Sequence, residues 1–450
     1  MSRQYFGTDG IRDVAGQGLL SLELVTSYGH AIGSWLSGQT AGAKVLVGRD
    51  TRASGPALLD QLGAGVIAAG HELVDGGVLP TPAVQTLCRE ERFDLAIVIS
   101  ASHNPAADNG LKFFGADGRK LADEAEESIE REIAEVLTKG PPPPDASGGS
   151  RRSDPEAGGR YLEFIDLCFP GLSLAGVTLA VDCAHGAGAD LVPTALERFG
   201  ATQHVRGAAP DGLNINEGAG VFHVAELGAI VKEHGASLGM ALDGDADRVL
   251  LVDENGDVRD GDYMLGVLAV DMKERGELPG DRLVTTVMAN LGLKVHLARH
   301  EIACETVAVG DRFVASAMAD CGATLGGEQS GHVIFRDGAR WFGDGLYTAL
   351  RVLEVIQRTG RPLSELVAGI EKFPQVLVNV PVRERRPVDD IPGLTEAVQV
   401  AEVDLGSEGR VLLRYSGTEL LLRVMVEGRD LERVRGHVDA MVDVAKRELG

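Results

Sequence analysis

Short apolar runs recur along the chain, and most are followed by a polar turn and then by apolar positions spaced three or four apart. Such runs occupy 44–50, 71–76, 94–100, 177–182, 237–243, 283–290 and 304–310. After the first, Ser54 is placed to cap a helix whose Leu58, Leu62 and Val66 share one face and which ends near Gly70. Another helix is predicted from Val224 to His234, stopped by Gly235. Strands and helices alternating in this way build βαβ units around mainly parallel sheets, whose ligand sites lie beyond the carboxyl ends of the strands.

The rhythm changes around Phe373 and Pro374. Residues 376–382 and 411–428 are strand-like, and a closing helix covers 430–449, which together make a small α+β unit. The stretch 140–159 is rich in Pro, Gly and Ser and has nothing to bury, so it reads as a linker. The expected fold is therefore α/β, with three similar domains of mixed or parallel sheets and a smaller C-terminal α+β domain. The divisions fall at 1–150, 151–253, 254–368 and 369–450, in keeping with 450 residues being too many for one core.

Composition changes this picture little. A hydrophobic fraction of 44% and a charged fraction of 24% are those of a globular protein. With 67 acidic against 43 basic side chains the formal charge is −24, which argues against nucleic-acid or anionic-membrane binding, since both need a positive surface. A few arginines can still make one pocket positive for an anionic substrate. The five cysteines form no C-x-x-C pair and suggest neither a disulfide framework nor a zinc site. The first residues lack a signal peptide's basic and apolar regions, and no apolar run nears the ~18 residues of a membrane span. A cytoplasmic location is expected.

Four loops carry candidate chemistry. Ser102 follows the apolar run 94–99, inside Ser100-Ala-Ser-His-Asn-Pro105. Taken alone this is an ordinary turn, and a serine hydroxyl is a poor nucleophile until something polarises it. Asp243-Gly-Asp-Ala-Asp-Arg248 puts three carboxylates at alternate positions after another strand. Their repulsion calls for a cation, and hard oxygen ligands select magnesium, manganese or calcium. Asp243, Asp245, Asp247 and Glu254 match positions 1, 3, 5 and 12 of an EF-hand count. Arg248, however, stands where that loop needs glycine, and strands flank it, not helices.

Arg414-Tyr-Ser-Gly-Thr-Glu419, with Arg423 beyond it, offers guanidinium forks, hydroxyls and a Gly-opened backbone to a phosphate; a hairpin with surface arginines is the plain alternative. Gly327-Glu-Gln-Ser-Gly-His332 offers polar groups to sugar hydroxyls. Phe6-Gly-Thr-Asp-Gly-Ile-Arg12 and Gly48-Arg-Asp-Thr-Arg52 add arginines near turns, each readable as a solvated ion pair.

Together these segments resemble the α-D-phosphohexomutases over nearly the whole chain, as phosphoserine, metal, sugar-binding and phosphate-binding loops in order. The amino-terminal motif, Gln329 and 287–293 are similar to the bacterial branch acting on glucosamine phosphates. The resemblance implies four domains around a central cleft and interconversion of glucosamine 6-phosphate and glucosamine 1-phosphate, feeding UDP-N-acetylglucosamine and cell-wall synthesis. Phosphorylated Ser102 would give its phosphoryl group to the sugar, forming glucosamine 1,6-bisphosphate, which turns around and returns the other phosphoryl group.

In that scheme Asp243, Asp245 and Asp247 hold Mg2+ against the seryl phosphate on Ser102. Lys112 matches the acid/base, whose pKa a neighbouring positive charge or partial burial could lower toward use near neutrality; the plain alternative is a solvated lysine. Arg248 and Arg12 stabilise the transferring phosphoryl, and His103 bonds beside the nucleophile or completes the turn. Glu328 and Ser330 hold sugar hydroxyls, while Arg414, Ser416, Gly417, Thr418 and Arg423 hold the non-reacting phosphate. The expected partner is a small phosphosugar, with no nucleic acid and no membrane, the chain acting as a monomer or homodimer. Asp13, His185, Tyr415 and Leu420 depart from the usual residues, which bears on loop geometry. A hinge is expected near Phe373. Alternatives are a mutase for mannose or glucose phosphates, a non-catalytic phosphosugar-binding protein, and a metal-dependent phosphatase.

Overall fold

The computed structural model describes residues 4–7, 9–145, 148–416 and 420–450. The first sheet contains β1 (Ile11–Val14), β2 (Lys44–Arg49), β3 (Glu72–Val78), β4 (Leu95–Ile99), β5 (Asp108–Gly115) and β6 (Ser150–Ser153), in the order β1-β5-β4-β2-β3-β6. The second contains β7 (Thr178–Asp182), β8 (Thr202–Arg206), β9 (Leu238–Leu242), β10 (Val249–Val252) and β11 (Val258–Arg259), ordered β11-β10-β9-β7-β8. The third contains β12 (Arg282–Thr286), β13 (Ala303–Val307), β14 (Leu325–Gly327), β15 (Val333–Asp337) and β16 (Arg340–Gly343), ordered β13-β12-β14-β15-β16. The fourth is antiparallel: β17 (Gln375–Pro381), β18 (Gly409–Tyr415) and β19 (Leu421–Gly428), with β19 central.

The α/β class is borne out, with one change that matters for the site. Each of the first three sheets has parallel pairs, but the strand before each chemical loop turns back antiparallel. β4 pairs with β5, β9 with β10 and β14 with β15, as β18 does with β19. The run 94–100 is thus followed by a strand, where the pattern had suggested a helix, and 237–243 by the strand expected beyond the aspartate loop. β5 carries Lys112 opposite Val98 of β4, and β1 beside it sets Arg12 opposite Gly110. One strand–loop–strand device therefore recurs in all four sheets, and each copy bears one loop.

Two further expectations are corrected. Part of the stretch 140–159 is β6, whose backbone pairs in parallel with β3; an edge strand of exposed polar residues needs no apolar side chains to pair. Ser54 precedes the helix Gly55–Ala68 but does not cap it, because its own backbone is already helical. Its hydroxyl instead accepts Asn109 Nδ2 at 2.8 Å. Leu58, Leu62 and Val66 are buried as expected, and Gly235 ends the helix Val224–His234 at φ +59°.

Contacts divide the chain into one unit of residues 1–287 and 305–367 and another of 288–304 and 368–450. Within the second, the Asn290 side chain takes both backbone groups of Phe373, accepting its N–H and donating to its carbonyl at 2.9 Å each. Leu291 N–H donates to Glu427 at 2.9 Å. Phe373 is thus clamped inside this unit, and the boundary falls before it, at 367–368. Among the described residues no helix is long and apolar enough to cross a membrane.

Candidate active site

Ser102 caps the turn out of β4 with φ +53°, a left-handed conformation that disfavours side chains other than glycine. It is held there from behind. Arg52 NH2 donates to the carbonyls of Ser102 (3.0 Å) and Asn104 (2.9 Å), and its NH1 to that of Pro105. Asn216 Nδ2 donates to the same Ser102 and Asn104 carbonyls at 2.9 and 3.0 Å. Arg52 is paired with Asp50 at 2.9 Å, both side chains being 0% exposed, and Asp50 also accepts Ser100 Oγ at 2.6 Å. The reading of Arg52 as a solvated ion pair is overturned: its guanidinium is the internal frame of the serine loop. Arg49 does form an ion pair, with Asp75 at 2.9 Å.

The Ser102 hydroxyl donates to Asp243 Oδ2 at 2.6 Å and lies 3.1 Å from His103 Nδ1. The metal-type loop can approach this closely because residue 244 is glycine; a Cβ there would sit 2.5 Å from the Ser102 carbonyl. Burial, then Arg248 and Arg12, push the His103 pKa down to about 4, so the imidazole is neutral near neutral pH. Arg248 NH1 lies 3.3 Å from its Nδ1, and Arg12 NH1 is 3.5 Å from the Ala101 carbonyl.

Asp243, Asp245 and Asp247 are buried, and their carboxylate oxygens converge within 4.8 Å of one another. Burial and the two neighbouring carboxylates push Asp243 well above the usual range. Asp245 Oδ2 accepts the Thr81 hydroxyl and Lys112 Nζ, the latter at 2.7 Å. Asp245 Oδ1 and Asp247 Oδ1 are buried without a hydrogen-bond partner. A buried Asp245 Oδ1 with no partner, and an Asp247 Oδ1 whose nearest cations stand off at 3.6 and 3.8 Å, leave room for a hard divalent cation among three converging carboxylates, so the donor set fits a metal site. Glu254 takes no part; it accepts the Ser364 hydroxyl and backbone N–H, which removes the EF-hand alternative.

Lys112 is 2% exposed, which excludes a solvated surface lysine. Its Nζ meets Asp245 at 2.7 Å, Asp247 at 3.3 Å and Asp9 at 3.5 Å. Burial alone would lower its pKa, but Asp245, Asp9 and Asp247 outweigh it and raise it. Burial thus acts in the direction the sequence suggested, but the three carboxylates outweigh it and favour the ammonium form. His332, which the sequence had suggested only as part of the sugar-type loop, lies between Asp247 Oδ1 (3.6 Å) and Asp311 Oδ2 (3.8 Å). Burial opposes its protonation, yet these carboxylates raise its pKa to about 9.

Glu328 and Ser330 occupy the β14–β15 loop, with Ser330 Oγ 3.4 Å from Glu328 Oε2. Glu328 Oε1 accepts the Gly310 N–H at 2.9 Å. Gln329 Nε2 donates to Asp262 at 3.1 Å, and the Gln329 carbonyl accepts Gly261 N–H at 3.0 Å. Gly261 has to be glycine, since a Cβ would lie 1.9 Å from the Glu328 carbonyl.

In the second unit Arg414 and Arg423 face each other across β18 and β19, and the Nε of each is buried without a partner. Burial and Arg423 lower the Arg414 pKa. Two facing guanidiniums suit an anion. Ser416 is buried, and its N–H donates to the Leu421 carbonyl at 2.9 Å; Gly417 and Thr418 lie outside the described residues. The departures have local explanations. Tyr415 Oη donates to the Arg386 carbonyl at 2.6 Å, and the Leu420 carbonyl accepts Val382 N–H at 2.9 Å, so hydrogen bonds stiffen the loop's flanks. Asp13 accepts Leu19 N–H at 2.7 Å, and His185, at φ +49°, is tied through its carbonyl to the Thr51 hydroxyl at 2.6 Å.

Arg52, Thr81, Asn216, Asp9, Lys120, Asp311 and the placement of His332 were not singled out by sequence reasoning. The amino-terminal motif that holds Asp9, the arginine-rich turn at 48–52 and the Glu-Gln-Ser-Gly-His run gave the signal there was.

Three α/β sheets whose loops join a buried serine to a carboxylate cluster able to hold a cation define an enzyme scaffold. Models of phosphoglucomutase/phosphomannomutase α/β/α domains I, II and III match residues 3–139, 160–256 and 260–373, and that of the C-terminal domain matches 377–444. The chain is 45% identical over 450 residues to phosphoglucosamine mutase of Desulfovibrio desulfuricans, covering 100% of both chains. A phosphoglucomutase/phosphomannomutase family protein from Burkholderia thailandensis superposes with a TM-score of 0.80 at 25% identity, covering 98% of this chain and 97% of that one. Aspergillus fumigatus N-acetylphosphoglucosamine mutase, solved with GlcNAc-6P and magnesium, shares the fold at a TM-score of 0.64 and 17% identity, covering 99% and 96%. The chain belongs to the phosphoglucomutase/phosphomannomutase family, and the resemblance read from its four loops is borne out.

Proposed function

We propose that this protein interconverts glucosamine 6-phosphate and glucosamine 1-phosphate, with Ser102 as the phosphoryl carrier and Mg2+ at Asp243, Asp245 and Asp247. The observation that carries the reading is Ser102 Oγ at 2.6 Å from Asp243 Oδ2, beside the buried Oδ1 atoms of Asp245 and Asp247, neither of which has a hydrogen-bond partner. The full-length likeness to a phosphoglucosamine mutase supports the choice of sugar.

In this scheme the bond from phosphorus to Ser102 Oγ breaks as a bond to a sugar hydroxyl oxygen forms; the Ser102 oxygen takes a proton from Lys112, and the proton released by the sugar hydroxyl restores the Lys112 ammonium. The second half-reaction reverses these steps with the other phosphoryl group of glucosamine 1,6-bisphosphate, so no net phosphate is lost. A bound magnesium ion supplies charge neutralisation for the seryl phosphate and the three carboxylates. Lys112, kept protonated by its neighbours, is poised to donate a proton to an oxygen that loses phosphorus. Arg12 and Arg248 offset charge on the transferring group, and neutral His103 orients the Ser102 oxygen. Glu328 and Ser330 take the sugar hydroxyls; Arg414, Ser416, Gly417, Thr418 and Arg423 take the idle phosphate. We place the enzyme in the cytoplasm, acting on a free small substrate.

The test supplies purified protein with magnesium, a trace of the matching sugar bisphosphate and each hexose phosphate in turn. Glucosamine phosphate is expected to isomerise fastest. Faster mannose or glucose phosphate turnover would overturn the substrate, absence of all turnover would favour a binding protein, and net phosphate release a phosphatase.

A further inference from the structure

Six charged side chains close a ring beside the candidate site. Lys112 reaches Asp9 at 3.5 Å, Asp9 accepts Lys120, and Lys120 reaches Asp311 at 2.7 Å. Asp311 lies 3.8 Å from His332, His332 lies 3.6 Å from Asp247, and Asp247 returns to Lys112 at 3.3 Å. Charge alternates at every step. The members come from separate places: the amino-terminal loop, β5, the turn after it, the helix Asp311–Cys321, the sugar-type loop and the metal-type loop.

The segment 310–312 is the hub. Gly310 N–H holds Glu328 Oε1 at 2.9 Å, and Asp311 holds Lys120 and faces His332. Arg312 donates to Asp123 and, at 2.7 Å, to Glu126 on the helix Asp123–Lys139. A cavity of about 730 Å³ adjoins Lys112, Lys120, Asp311 and His332. Apolar packing therefore does not fix these side chains on that side; charge pairing does, and it acts strongly in a partly buried setting.

We propose that Lys120 and Asp311 are positioning residues for the phosphoryl-transfer reaction: their ion pair locks segment 310–312 against the first sheet and so aims Glu328 and His332 at the sugar. Neither residue touches the reacting atoms in this account. The inference rests on the mutase reading above.

Three variants test it: Lys120→Met, Asp311→Asn and the two together, with Lys120→Arg as the conservative control. Lys120→Met and Asp311→Asn should each lower kcat about 10²-fold, the size of effect a misplaced substrate produces. KM should move less than about threefold, the melting transition should stay cooperative, and the double variant should be no worse than the more damaged single one. Lys120→Arg should recover most of the loss. Multiplicative losses in the double variant, or unchanged kcat, would overturn the inference. So would unfolded single variants, because the pair would then serve stability and not aim. If instead the unmodified protein isomerises no hexose phosphate, it is the mutase reading that fails, and the two failures are told apart.

Discussion

Ser102→Ala is expected to abolish mutase turnover, by a factor on the order of 10⁴ or more, because no other group in the scheme carries the phosphoryl between the two halves of the reaction. The protein should remain folded. Alanine tolerates the left-handed backbone at this position no worse than serine does, and the loop is held through carbonyls that the substitution leaves in place. The lost hydrogen bond to Asp243 changes stability by only about 1 kcal/mol. Steady-state assay with glucosamine 6-phosphate, alongside a denaturant titration, checks both halves. Activity within tenfold of the unmodified protein would end the phosphoserine scheme.

The largest stability effect is expected at Arg52. Arg52→Met leaves Asp50 buried without its partner and strips donors from the carbonyls of Ser102, Asn104 and Pro105. Breaking a buried ion pair by removing one side costs about 3–5 kcal/mol. Of the side chains that hold the Ser102 and Asn104 carbonyls, Asn216 would then be left, so turnover should also fall, by about 10²-fold. Equilibrium unfolding in urea measures the first effect and kcat the second. A loss below about 1 kcal/mol would mean that the Asp50 carboxylate simply takes up a proton and that the arginine is dispensable to the frame.

Much of the fold was legible because burial leaves a pattern. The runs at 95–99 and 238–242 are buried at every position, and Gly235 and Asp430 mark helix ends by their own chemistry. Pairing leaves a weaker trace. β5 escaped notice because Asp108–Gly115 mixes Asn, Gly and Lys with its apolar residues, although six of its eight positions are buried. The edge strand β6 carries no apolar signal at all, since the backbone of β3 alone recruits it.

The aspartate cluster was readable for a similar reason: its members are two apart in sequence and their repulsion is evident without coordinates. The groups that tune it were not. Lys112 and Asp245 are separated by 133 positions, and Lys120 and Asp311 by 191. Arg52 looked like any turn arginine until its burial was seen. Sequence chemistry thus names charged groups, whereas the direction of the Lys112 pKa depends on which carboxylates the sheets bring to it.

The central claim, that Ser102 is the residue that carries the phosphoryl group, is tested most directly by peptide mass spectrometry. The protein is incubated with magnesium and glucosamine 1,6-bisphosphate, freed of substrate, digested and sequenced by fragmentation. The account predicts one phosphate, on Ser102, which disappears when glucosamine 6-phosphate is added. A phosphate on another residue, or none on Ser102 in protein that turns substrate over, would contradict it.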